Sequence, residues 1–227
     1  PSSEWITDTV ALARSVEPTP ELCKAVEALY TAVNPKGPAG PRGELADLLG
    51  DMHARLGHEE RALSWWNEAL RLTGNEGCAL KICSVCERQA VGALEAGDYA
   101  TGLRWCATGL EVRPEQQALK RLQRQLKLLS AQALWKEMKI DEALAIWNEL
   151  LERDQLLEAA WNMALACEEA GRRAKAAAAW RRVAALSQER KQKETARQAA
   201  LRAGCLHLQQ GEYREALADL ELAADPA

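Results

Sequence analysis

The stretch LLGDMHARLGHEERALSWWNEAL, residues 48–70, sets small residues at fixed distances on either side of a turn glycine, Gly57. Gly50 stands seven residues before it, Ala62 five after, Trp66 nine after and Ala69 twelve after. The same offsets recur around Gly97, Met138, Gly171 and Gly211. Seven residues before those turns come Ala90, Ala131, Ala164 and Gly204, and five after come Gly102, Ala143, Ala176 and Ala216. The plus-nine position holds Cys106, Trp147, Trp180 and Leu220, and plus twelve holds Gly109, Leu150, Val183 and Ala223. Self-similarity at a period of tens of residues marks stacked units that bury their faces only against their neighbours.

The offsets have a mechanical meaning. A helix stops near each turn glycine, which tolerates the left-handed conformation a helix end requires. A second helix then runs back antiparallel to the first. Small residues at minus seven and plus five let the two backbones approach, and the plus-nine side chain fills the groove toward the next unit. Residues 48–70 and AGCLHLQQGEYREALADLELA, residues 203–223, resemble the tetratricopeptide repeat family, over roughly residues 43–225. The resemblance implies an all-α, right-handed α-solenoid of stacked helix hairpins. The turn-to-turn spacings of 40, 41, 33 and 40 residues exceed the family's period of about 34 in all but one case. An excess of six or seven residues is close to two helical turns at about 3.6 residues each, so the apolar face keeps its orientation while the helices lengthen.

Residues 1–33 read as an N-terminal helical pair, a degenerate repeat or cap, with Thr19 capping the second helix and Pro20 at its first position. The segment NPKGPAGPRG, residues 34–43, reads as a stiff Pro/Gly-rich connector. Residues 44–227 form the array of five helix-turn-helix repeats. Helices are expected near 44–56, 59–72, 77–96, 99–111, 115–137, 140–152, 156–170, 173–186, 189–210 and 212–224. The chain opens on Pro1-Ser2-Ser3 and stops at Ala227 just after a second helix, which suggests a piece of a longer protein.

The composition supports an all-α class, with Phe absent and Ala, Leu, Glu and Arg abundant. A formal net charge of −4 argues against a general nucleic-acid binder. No apolar run reaches membrane-spanning length. Seven cysteines, an odd number spread over helical segments, suggest a reducing intracellular compartment such as the cytoplasm rather than a disulfide framework.

Cys78, Cys83 and Cys86 have the spacing of one type of iron–sulfur protein, and Cys106 is a possible fourth ligand. They fall on an expected helix, where Cys78 and Cys83 point about 140° apart, so buried packing is the favoured reading and no metal or cofactor is expected. His53 and His207 share one slot, four residues before their turns, where the family resembled packs an aromatic between helices, so core packing is their expected role. No nucleophile has a recognisable base and orienting acid, and no glycine-rich phosphate loop is present, so no enzyme activity is expected.

In the family resembled, the first helix of each hairpin lines a concave groove, through positions two, three, six, ten and thirteen before the turn. Those positions hold Asp47 and Asp51, then Glu87 and Val91, then Leu128, Gln132 and Trp135, then Trp161 and Leu165. Some family members clamp terminal carboxylates with Lys and Asn at two of these slots. Asp47 and Asp51 would repel such a ligand, so an apolar or basic peptide or an amphipathic helix is the expected occupant. The expected function is a non-catalytic protein-interaction scaffold, with Trp135 and Trp161 as anchors. The alternative is a regulatory or self-association module, as a homo-oligomer or within a larger protein. A helical-repeat RNA binder is a weaker third reading, because the first two repeats are acidic.

Overall fold

The computed structural model describes residues 3–35 and 37–224, so that Lys36 of the expected connector lies outside the described residues. The described residues form an all-α protein of twelve helices. They fall into two compact units, Pro1–Leu122 and Gln123–Ala227.

The first unit contains α1 (Ser3–Ser15), α2 (Pro20–Ala32), α3 (Ala39–Arg55), α4 (Glu59–Thr73), α5 (Glu76–Glu95), α6 (Tyr99–Val112) and the start of α7 (Gln117–Lys136). The second contains the rest of α7 and α8 (Ile140–Asp154), α9 (Leu157–Glu169), α10 (Arg173–Glu189), α11 (Lys193–Gln210) and α12 (Tyr213–Ala224). In the first unit α2 to α6 pack in succession and α1 packs on α3, and in the second α8 to α12 pack in succession, as an α-solenoid requires. No helix among the described residues is long and apolar enough to cross a membrane.

Local chemistry explains the helix starts. Thr19 Oγ1 accepts from the Leu22 amide at 3.1 Å with Pro20 in the first turn, as the sequence predicts. Asn75 caps α5 and Asp98 caps α6 in the same way. The connector expected over residues 34–43 is corrected by the structure, since α3 begins at Ala39 and takes in Gly40, Pro41 and Gly43. Pro41 is tolerated because the first turn's N–H groups have no intrahelical acceptor to lose. Gly43 lies against α4, where an added Cβ would overlap the Thr73 side chain.

All five expected turns are present, and a sixth joins them. At each, the amide following the turn residue donates back five residues: His58 to His53, Asp98 to Ala93, Lys139 to Leu134, Arg172 to Cys167, Gln192 to Ser187 and Glu212 to His207, all at 2.8–3.0 Å. This closure satisfies a carbonyl left open by the ending helix and needs positive φ at the turn residue. Gly57, Gly97, Gly171 and Gly211 supply it at φ 67–77°, while Met138 adopts 63° and Lys191 adopts 58°. The sixth turn, at Lys191, moves the α10–α11 boundary from the expected 186–189 to 189–193. The offsets apply there too, with Ala184 at minus seven and Ala196 at plus five, both buried.

The small slots do what their size allows. All minus-seven and plus-five residues are buried. An added Cβ on Gly50 would overlap the Trp66 ring, and one on Gly204 would lie 2.9 Å from Leu220 Cγ. The minus-seven slot therefore also makes room for the plus-nine side chain. Trp66, Trp147 and Trp180 are buried at that position.

Two outcomes are expected. Lys191→Gly relieves a left-handed residue and should stabilise the protein by about 0.5–1 kcal/mol, whereas Lys191→Val should destabilise it by more than about 1 kcal/mol. Equal melting temperatures for the two variants would contradict the turn assignment. The second outcome concerns His53. Burial lowers its pKa, opposed by Glu27 and reinforced by Arg61 and His58. The unfolded chain then takes up the proton first, so this contribution is complete above about pH 6.5 and is lost as the pH falls toward the folded-state value. Melting temperature should drop between pH 7 and pH 5, and His53→Phe should reduce the drop; parallel curves would refute this cause.

Candidate functional site

Two surfaces, one in each unit, carry the residues expected from the sequence. In the first unit, Asp47 and Asp51 lie on α3 one turn apart. Both are paired with cations of this chain, so the negative charge expected to repel a carboxylate is balanced within the fold. Arg14 of α1 donates to Asp47 Oδ2 at 2.6 Å, and Lys81 Nζ of α5 bridges Asp47 Oδ1 and Asp51 Oδ1, each at 2.6 Å. Asp51 also accepts from Trp66 Nε1 at 3.1 Å, and Asp47 from the Cys78 thiol at 3.3 Å. Asp47 is only 7% exposed. Burial opposes the charge on Lys81, yet its hydrogen bonds to the two aspartates prevail and raise its pKa. The acidic end is thus a charge-balanced seam between helices. Glu87 is half-buried on α5 and Val91 beside it is exposed.

A cleft next to this seam is lined by Arg14, Arg55, Lys81 and Asp51 over Met52 and Trp66. Cations outnumber acids there, the reverse of the expected polarity. Arg14 and Lys81 come from helices distant in sequence.

The second unit keeps the expected apolar character. Leu128, Gln132 and Trp135 on α7, and Trp161 and Leu165 on α9, are all half-buried. Trp135 stands edge-on to Trp147 at a centroid distance of 5.8 Å, and Trp161 edge-on to Trp180 at 4.9 Å. Each indole therefore rests on a core tryptophan and keeps part of its surface open. The Trp135 Nε1–H donates to Glu169 at 3.0 Å, which ties α7 to α9. Trp180 Nε1–H donates to Glu168, and the Arg202 guanidinium lies 4.7 Å above the Trp180 ring. Arg202 also pairs with Glu168 at 3.7 Å, which links α11 to α9.

Three residues of α11 outside the expected set stand at equivalent repeat positions. The offsets that pick out Trp161 and Leu165 also pick out Leu201, Cys205 and Leu208 of α11. All three are exposed, Leu201 by 39% and Leu208 by 45%. A cleft between α9 and α11 is lined by Glu168, Leu201, Arg202 and Cys205 among others.

The cysteine cluster lies in the core of the first unit. Cys78, Cys83, Cys86 and Cys106 are buried, and burial pushes the Cys78 and Cys86 thiols up to about 12 and Cys106 to about 11. Such thiols remain protonated at neutral pH. Among the described residues no group of three or more His, Cys, Asp or Glu is placed to hold a metal ion. His53 and His207 are buried. His207 Nδ1 lies 2.7 Å from Asp219, which Arg181 also holds at 3.0 Å.

No family model matches the sequence. No curated protein matches it either. Among solved structures, the chain aligns with the crystal structure of BtubC (BKLC) from P. vanneervenii. The alignment covers 96% of this chain and 89% of that one, at 15% identity and a TM-score of 0.39. That likeness carries no argument about function, and the tetratricopeptide resemblance rests on the repeat offsets alone.

Removing the cation at the aspartate seam leaves a buried carboxylate short of a partner. Lys81→Met should cost about 1–3 kcal/mol, and adding Asp47→Asn should recover part of it. Additive losses in the double variant would show that the seam does not act as a unit.

Proposed function

We propose that this chain is a non-catalytic protein-interaction scaffold of tetratricopeptide-like architecture, and that the groove face of its second unit, on α7, α9 and α11, receives a peptide or helix. One observation carries the reading. Half-open apolar side chains at matching repeat positions, Leu128, Trp135, Trp161, Leu165, Leu201 and Leu208, share this face with rigid backing from Trp147 and Trp180. Rigid aromatics offer large contact area at low entropic cost and dominate the energetics of interfaces. Six buried free thiols fit the reducing compartment that such an intracellular scaffold would occupy.

The test uses a partner recovered by affinity capture with the intact chain and identified by mass spectrometry. Trp161→Ala should weaken its binding by at least about 2 kcal/mol. Leu201→Glu, at an exposed position, should weaken binding without lowering the melting temperature. Retained affinity in both variants, with helicity preserved, would remove this face as the site.

A second reading, self-association, is favoured by uncovered apolar residues on and just after α1 and on α12. Leu12, Val16, Tyr213 and Leu217 are exposed, Leu217 by 59%, whereas the matching Leu63 and Leu144 are 7% and 6% exposed. Sedimentation velocity over a concentration series should then show oligomers that Leu217→Glu disperses. A monomer at all concentrations would sink this reading.

A further inference from the structure

The groove positions of the second unit carry an ordered charge pattern. On α9 they read Glu158, Trp161, Leu165 and Glu169; on α7 Gln125, Leu128, Gln132 and Lys136; on α11 Gln198, Leu201, Cys205 and Gln209. Glu158 and Glu169 are eleven residues apart, which returns to within about 20° of the same helix face and spans roughly 16 Å along the axis. Both glutamates are exposed. Between them stand two half-buried apolar side chains one turn apart. Glu169 accepts one hydrogen bond from the Trp135 indole, which leaves further acceptor capacity on its carboxylate. The third acid of this region, Glu168, is already engaged by Trp180 Nε1–H and Arg202. The flanking positions on α7 and α11 are neutral or apolar apart from Lys136, and the cleft beside them adds Arg173 and Arg202, the latter paired with Glu168.

We propose that this face binds an amphipathic helical segment of a partner, running along α9, with apolar residues between two lysine or arginine side chains about eleven positions apart. The proposal rests on the reading that the α7–α9–α11 face is the binding surface, and it adds the partner's chemistry. Two helices side by side share a rise of about 1.5 Å per residue, so cations at that spacing reach Glu158 and Glu169 together. The apolar residues between them cover Trp161 and Leu165. An acidic helix would instead place carboxylates against Glu158 and Glu169, and like charges at close range select against a partner.

The test uses three fluorescent synthetic helical peptides of about 18 residues, a length that spans the two charge positions with a turn to spare. One has a leucine stripe with lysines eleven apart, one has glutamates at those two positions, and one has the first composition in scrambled order. Anisotropy titrations with the intact chain at low salt should show the lysine peptide binding roughly threefold to tenfold tighter than the glutamate peptide, as two exposed ion pairs allow. That gap should shrink as salt rises, and it should close in the Glu158→Gln/Glu169→Gln variant. Trp161→Ala should weaken both ordered peptides, and Leu165→Ala provides the same check at a smaller side chain. If the glutamate peptide binds equally well and remains sensitive to Trp161→Ala, the partner chemistry is wrong and the binding face survives. If binding is indifferent to both apolar variants, if the scrambled peptide binds as well, or if no peptide binds, the face itself is overturned.

Discussion

The close approach of paired helices at the minus-seven and plus-five slots governs much of the structure. Glycine or alanine at those slots lets the plus-nine side chain lie against the opposing backbone. Where that side chain is tryptophan, its indole N–H must find an acceptor or stay unsatisfied in the interior. Trp66 uses Asp51 and Trp180 uses Glu168, whereas the buried Nε1 of Trp147 has no hydrogen-bond partner. Core packing therefore draws carboxylates inward from the first helix of the hairpin. The polarity of the first-helix surfaces follows partly from what the core tryptophans demand.

This dependence makes the two units differ although their repeats share offsets. In the first, the acid that receives Trp66 is joined by Asp47, and the pair is neutralised by Arg14 and Lys81. The outcome is a seam that holds α1, α3 and α5 together. In the second, Trp135 and Trp161 stand outside Trp147 and Trp180 as a second aromatic layer. One edge of each ring is packed and another part is open, so the side chain that braces the core also offers apolar surface. The exposed acids at the ends of the α9 stripe are separate from the one that serves Trp180.

Turn geometry explains why the repeat pattern tolerates substitution. The backward hydrogen bond at each of six turns is a backbone interaction, and the turn residue needs only to reach positive φ. Glycine does so without a Cβ clash. Met138 and Lys191 do so at a cost that the closure and the packed slots on either side offset. Reading glycine as the marker finds Met138 only through the small residues around it, and passes over Lys191, whose plus-nine residue is Ala200 rather than a large side chain. Small-residue spacing was the better guide because it reports helix contact, which every hairpin needs.

The sequence by itself determined the all-α class, the small-residue slots, the five turns it identified and the burial of the plus-nine tryptophans. These depend on short-range periodicity and local caps, which any window of the chain displays. It also identified the α7 and α9 apolar positions, and its offsets extend to Leu201, Cys205 and Leu208 without further information. The extended reading of residues 39–43 failed because Pro and Gly signal a break only where their N–H or missing side chain costs something, and a helix's first turn against Thr73 is where neither does. Only the tertiary structure decided that Asp47 and Asp51 are spent on Arg14 and Lys81, partners thirty or more residues away in the chain. It alone decided that Trp135 and Trp161 are half-open over a second tryptophan. Charge and exposure belong to the folded neighbourhood, and residues distant in the chain supply that neighbourhood.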